Sequence, residues 1–137
     1  MQPDPARLAD TREWLIRASR DLRAALHDLS AVPPLLDAVV FHCQQAAEKA
    51  LKAFLAWHDV PFHRTHSLEE LGRQCTLIDP SLLSIVELAA PMTDYAWKYR
   101  YPGDAEEPSS EETADAIELA TAVLEAVIAR LPDEVRP

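Results

Sequence analysis

Apolar residues recur along this chain at intervals of three, four and seven, the stripe of amphipathic helices. Asp4 followed by Pro5 reads as an N-cap and first helical residue. From there Leu8, Leu15, Ala18, Leu22, Ala25 and Leu29 mark one face of a long helix, which must end before Pro33 and Pro34. A second helix is predicted from about Leu35 to about His58. The stretch "DVPFHRTHS" then reads as a loop, and Ser67 with Glu70 forms a capping box that opens a short third helix. Asp79-Pro80 starts a fourth, with Leu82, Leu83, Val86 and Leu88. Pro91 should kink or restart it, with helix resuming through Tyr99.

"RYPGDAEEPSS" is the clear mid-chain break, and Ser109 with Glu112 opens the last helix, marked by Ile117, Ala120, Leu124, Val127 and Leu131. Three long helices and one or two short ones predict an all-α fold, an antiparallel up-and-down bundle of four to five helices. Residues 1–137 are expected to form a single domain, a length sufficient for a sizeable core. Two glycines and scarce β-branched clusters agree with that class.

Charge changes the picture by its distribution. The net charge of −10 argues against non-specific nucleic-acid binding. Residues 104–137, however, hold ten acids against Arg130 and Arg136, while residues 38–103 hold seven acids and six bases. A local basic site can therefore sit in the middle of an acidic molecule. No apolar run approaches the roughly 20 residues needed to cross a bilayer, and the N-terminal residues lack a basic-then-apolar signal pattern. Cys43 and Cys75 have no paired spacing and read as free thiols of a cytoplasmic protein.

The second helix is where chemistry concentrates, in "FHCQQAAEKALKAFLAWH". On a wheel of about 100° per residue, His42, Lys49, Gln45, Lys52, Phe41 and Glu48 fall within about 120° of one another. They form a continuous ridge of hydrogen-bonding groups opposite Ala46, Ala50, Cys43, Phe54, Ala47, Val40 and Leu51. Such a ridge is either a site or the wet face that a bundle helix needs, with Glu48 and Lys52 as ordinary surface residues. Gln44 differs, because it falls in the apolar sector and must find partners there, which suits a tie to a neighbouring helix.

A second cluster, "TDYAWKYRYPGD", interleaves aromatics with Lys98 and Arg100. Tyr95, Tyr99 and Trp97 are expected to pack at the end of the core, whereas Arg100 beside a Pro-Gly turn is placed to hold an anion. His58, His63 and His66 in the loop, with His42 and Cys43 on the second helix, lack metal-ligand spacing, so no metal is expected; His66 is read as capping or packing. Nucleophile-elbow and phosphate-loop motifs are absent.

Taken in order, "FHCQQAAEKALKAFL", "HRTHSLEEL" and "YRYPGD" resemble the HEPN domain (higher eukaryotes and prokaryotes nucleotide-binding) over nearly the whole chain. The resemblance implies a helical bundle, commonly a homodimer. It also implies a minimal nucleotidyltransferase as partner, frequently in a toxin–antitoxin pair. Many such toxins are metal-independent ribonucleases marked by an Arg followed after four to six residues by a His. Here the residues after Arg100 bring Asp104, Glu106 and Glu107 instead, and no His follows His66. His42 could substitute only where the bundle carries it to Arg100.

The reading that results is a nucleotide-binding protein with ATP or another nucleotide as ligand. Lys49, Lys52 and Arg100 would meet phosphate, His42 and Gln45 would bond base or sugar, and Tyr101 would stack. The alternatives are a structural or dimerisation adaptor without ligand, and a ribonuclease using Arg100 and His42; the charge does not favour RNA as partner.

Overall fold

A computed structural model describes residues 3–62, 64–103 and 106–137. Five α-helices carry the architecture: α1 (Pro5–Leu29), α2 (Leu36–Trp57), α3 (Leu68–Ile78), α4 (Leu83–Ala89) and α5 (Ser110–Ile128). Among the described residues there is no strand. The sequence signals act as read at most ends. Asp4 accepts the Ala6 amide ahead of Pro5, Ser67 accepts the Glu70 amide, and Ser109 accepts the Glu112 amide. Each satisfies a donor that the first helical turn leaves without a partner.

α1 and α2 lie antiparallel, with Arg7 Nη1 donating to the Trp57 carbonyl at one end and the Leu35 amide to the Asp28 carbonyl at the other. The described residues between His58 and Ser67 return alongside the pair. The His66 carbonyl accepts from Gln44, and Cys75 Sγ bonds the Leu51 carbonyl, so α3 runs in the same direction as α2. α4 reverses, Gly72 on α3 facing Val86. A Cβ on Gly72 would stand 2.9 Å from that of Val86, so this helix pair closes only around a glycine. α5 runs antiparallel to α4, tied by Tyr95 to Glu112 at one end and by Arg130 to Asp79 at the other.

Pro80–Leu82 and Ala90–Ala96 are 3-10 segments. The second of these ends the fourth helical run at Ala96, three residues short of the expected Tyr99. Pro91 removes an amide near its start, and Tyr99 takes a positive φ of 70°, which no right-handed helix continues.

α2 is the axis of the molecule. Ala46, Ala47, Ala50 and Ala53 are fully buried, and these small side chains let α1, α3 and α5 approach on separate sides. Phe54, Leu51, Leu55, Leu15, Leu71 and Val127 fill the space between. No helix among the described residues is long and apolar enough to cross a membrane.

Candidate functional site

At Glu48 and Lys52 the ridge on α2 is not a wet face. Glu48 is 3% exposed and Lys52 9%, because α1 and the returning loop close over them. A buried carboxylate must be satisfied by donors, and Glu48 collects three. Lys52 Nζ lies at 3.1 Å, Gln44 Nε2 at 3.2 Å and His66 Nδ1 at 2.8 Å. The Lys52 ammonium also stands 5.4 Å from the Trp14 ring centroid and 5.6 Å from that of Phe62, so two aromatic faces complete its shell. Those rings meet edge to face at 5.9 Å. Lys52, expected to meet phosphate, is thus turned into the protein. Glu48 and Lys52 are not the surface pair that periodicity allowed.

Gln44 does what its apolar position demanded. Its Nε2 donates to the His66 carbonyl at 2.9 Å, and its Oε1 accepts from Gln45 at 2.7 Å. Gln45 is therefore oriented by its neighbour at the partly buried edge of the network. His66, read as a capping or packing residue, instead has one ring nitrogen on Glu48 while its side chain stays 61% exposed. Its other ring nitrogen makes no hydrogen bond among the described residues.

One turn along, the same ridge opens outward. Asp21 on α1 receives Lys49 Nζ, and its other oxygen lies 2.9 Å from His42 Nδ1. His42 Nε2 is 3.8 Å from Asp28, so the imidazole sits between two carboxylates of α1. Beside Lys49 is a shallow depression of about 190 Å³ lined by Arg17, Arg20, Asp21 and Lys49. Three cations against one carboxylate suit an anion. Arg17 bonds Glu13 in an exposed pair, whereas Arg20 makes no ion pair among the described residues. Neither arginine was singled out from the sequence. Their spacing on the polar side of α1 held the signal, at positions i and i+3 facing Asp21.

Arg100 is exposed and lies flat on a second surface. Its guanidinium carbon is 4.1 Å from the Phe41 ring centroid and 6.0 Å from that of Tyr101, and Nη1 donates to the Ala96 carbonyl. The Phe41 ring also meets His42, at 5.4 Å. Arg100 and His42 therefore contact the same ring, with Phe41 as spacer between them. Tyr95 and Tyr99 plug the end of the core as expected and share Glu112 as acceptor. Burial, then the bond to Glu112, holds the Tyr95 phenol well above the usual tyrosine range. Trp97, expected to pack, is half exposed.

Cys43 and Cys75 are free and buried, and burial pushes both thiols up to about 12, which makes them inert at neutral pH. Among the described residues no group of three His, Cys, Asp or Glu side chains is arranged to hold a metal ion. His63 of the loop and Asp104 of the segment after Arg100 lie outside the described residues.

Comparison with known proteins adds two findings. A family model described as "HEPN domain" matches residues 11–131. The fold is similar to the crystal structure of an archaeal HEPN homologue, with a TM-score of 0.67 and 25% sequence identity, over 88% of this chain and 96% of that one. No curated protein matches the sequence significantly.

Proposed function

The chain belongs to the HEPN domain family, and on that premise we propose that it binds a nucleotide on the face shared by α1 and α2. The observation that carries this reading is the depression at Arg17, Arg20 and Lys49, a concentration of positive charge in a protein of net charge −10. Its cations receive the phosphates. His42 and Gln45 present ring and amide groups along the same ridge, and the exposed planes of Arg100 and Tyr101 offer a surface on which a base stacks.

Calorimetric titration with ATP, GTP and a short RNA tests the reading. Saturable nucleotide binding is expected, weakened about tenfold in Arg20→Ala, the loss of one charge-assisted contact of about 1.4 kcal/mol. Affinity unchanged in both Arg20→Ala and Lys49→Ala would overturn it. The family resemblance supports three further parts of the proposal: assembly as a homodimer, action with a minimal nucleotidyltransferase in a toxin–antitoxin pair, and a cytoplasmic location. The buried free thiols agree with the last. Copurification with such a partner and sedimentation of the purified protein are the direct checks.

A specific observation also favours the ribonuclease reading. The segment after Arg100 supplies no His, but His66 is an exposed imidazole aligned by a buried carboxylate, the arrangement of an oriented general base. Its other ring nitrogen would take the proton of a ribose 2′-hydroxyl as that oxygen attacks the adjacent phosphorus, and the 5′-oxygen would leave with a proton from water, giving a 2′,3′-cyclic phosphate and a 5′-hydroxyl. RNA cleavage in the presence of a chelator, lost in His66→Ala, is the outcome this reading requires.

A further inference from the structure

Away from the polar ridge, α3 and α4 enclose an open groove of about 370 Å³. Its floor is set by the close Gly72–Val86 contact, and Leu77, Leu83, Val86 and Ala90 line it. Leu77 is 83% exposed and Leu83 47%, apolar area that the monomer leaves in water. The volume falls in the range of about 300–1,000 Å³ that ligand pockets occupy. The shape differs, being a trough between two antiparallel helices rather than a cavity.

The groove is polarised. Leu77 and Leu83 stand at one end, because α3 ends where the 3-10 turn into α4 begins. Glu69, Arg73 and Glu87 flank the remainder. Arg73 is drawn to Glu69 at 3.4 Å, while Glu87 makes no ion pair among the described residues. The uncompensated charge beside the groove is therefore negative, as is the charge of the whole chain. The C-terminal tail does not cover the groove, since it buries Leu131 and Val135 elsewhere. A second copy would bring the same acidic flank and the same net charge of −10.

We propose that this groove receives an amphipathic helix of a partner protein, with its apolar residues over Leu77 and Leu83 and a lysine or arginine beside Glu87. Residues 69 to 77 of α3 are eight helical steps end to end, about 12 Å at about 1.5 Å each, so about two turns of the partner are engaged. Docking covers the exposed leucines and neutralises Glu87 in one step. The surface shares no lining residue with the Arg17–Arg20–Lys49 depression, so a helix and a nucleotide can be bound together.

The test uses a synthetic peptide of about a dozen residues, long enough to fill the groove with a residue or two beyond each end. It carries leucines at helical spacing toward one end and lysines toward the other, and in its control glutamates replace the lysines. Leucine methyl spectra of the full chain are recorded during titration. The lysine peptide is expected to shift Leu77 and Leu83 selectively and saturably, with the control at least about tenfold weaker. Leu77→Glu should weaken binding about tenfold or more, from the loss of a buried leucine contact. Glu87→Lys, which alters charge alone, should reverse the preference between the two peptides and serves if Leu77→Glu fails to fold. Binding of neither peptide, or of both equally, overturns the proposal. So does a concentration-dependent dimer that Leu77→Glu abolishes, which would assign the groove to a second copy.

Discussion

Lys49 and Lys52 stand three residues apart on α2 and carry the same ammonium group, yet the fold puts them to opposite uses. Lys52 is enclosed by Trp14 and Phe62 and held by Glu48, a carboxylate 3% exposed. Lys49 lies at the rim of an open depression beside Arg17 and Arg20, sharing the partly exposed Asp21 with His42. What separates them is the cover supplied by distant segments. Where α1 and the returning loop contribute aromatic rings, the ridge becomes interior scaffolding; where α1 contributes arginines, it remains open to solvent. Residue type alone therefore does not mark the site on this helix.

Removing Glu48 should break that contrast most severely. Glu48→Ala leaves Lys52 as an uncompensated charge among aromatic rings and deprives Gln44 and His66 of an acceptor. A loss of about 3–5 kcal/mol in urea unfolding is expected. The double replacement Glu48→Leu with Lys52→Leu removes both charges together and should recover about 2 kcal/mol or more of that loss. If the double variant is as unstable as the single one, the network stabilises by something other than charge pairing. Lys49→Ala should cost about 1 kcal/mol or less, since its pair with Asp21 is partly solvated. Arg20→Ala should stay within about 0.5 kcal/mol of wild type while nucleotide affinity falls. Equal losses at Lys49 and Lys52 would erase the distinction.

The smallest expected effect is a dependence on pH. Loss of hydration lowers the His58 imidazole below its ordinary 6.5, as its ring lies on Phe54; Asp79 opposes the shift and Arg7 adds to it. Below 6.5 the unfolded chain binds a proton that the folded state resists, so this contribution is intact above that value and is lost as pH falls from there through the lower folded value. Urea midpoints taken about one unit on either side of 6.5 should differ less in His58→Asn than in wild type.

The helices were legible because their ends are written in short-range chemistry. Asp4 before Pro5, Ser67 with Glu70, Asp79 before Pro80 and Ser109 with Glu112 all begin helical segments where the sequence places them. Gln44 was legible too, since an amide in an apolar sector has to be tied. The fate of Glu48 and Lys52 was not. Helical periodicity sorts residues by angle, but their cover comes from Trp14 on another helix and Phe62 in a loop. Arg17 and Arg20 went unread for a related reason. They gain meaning only when α1 lies against Lys49, a register set by Arg7 at one end and Leu35 at the other. Trp97 was expected inside and is half outside because the helical run stops at Ala96, and the turn that would have carried it never forms.

The central position of α2 also sets the order in which the backbone opens to solvent. Three helices shield α2 along its length, so its amides can exchange with deuterium only when the bundle comes apart. α3 and α4 are short, face water along their groove and meet each other through a glycine, so they can part from α2 in smaller excursions. Exchange should therefore be slowest from Val39 to Leu55 and faster by orders of magnitude between Leu83 and Ala96. The protein thus has a slow clock at its centre and a quicker one at the groove, and a partner can be admitted at the second without disturbing the first.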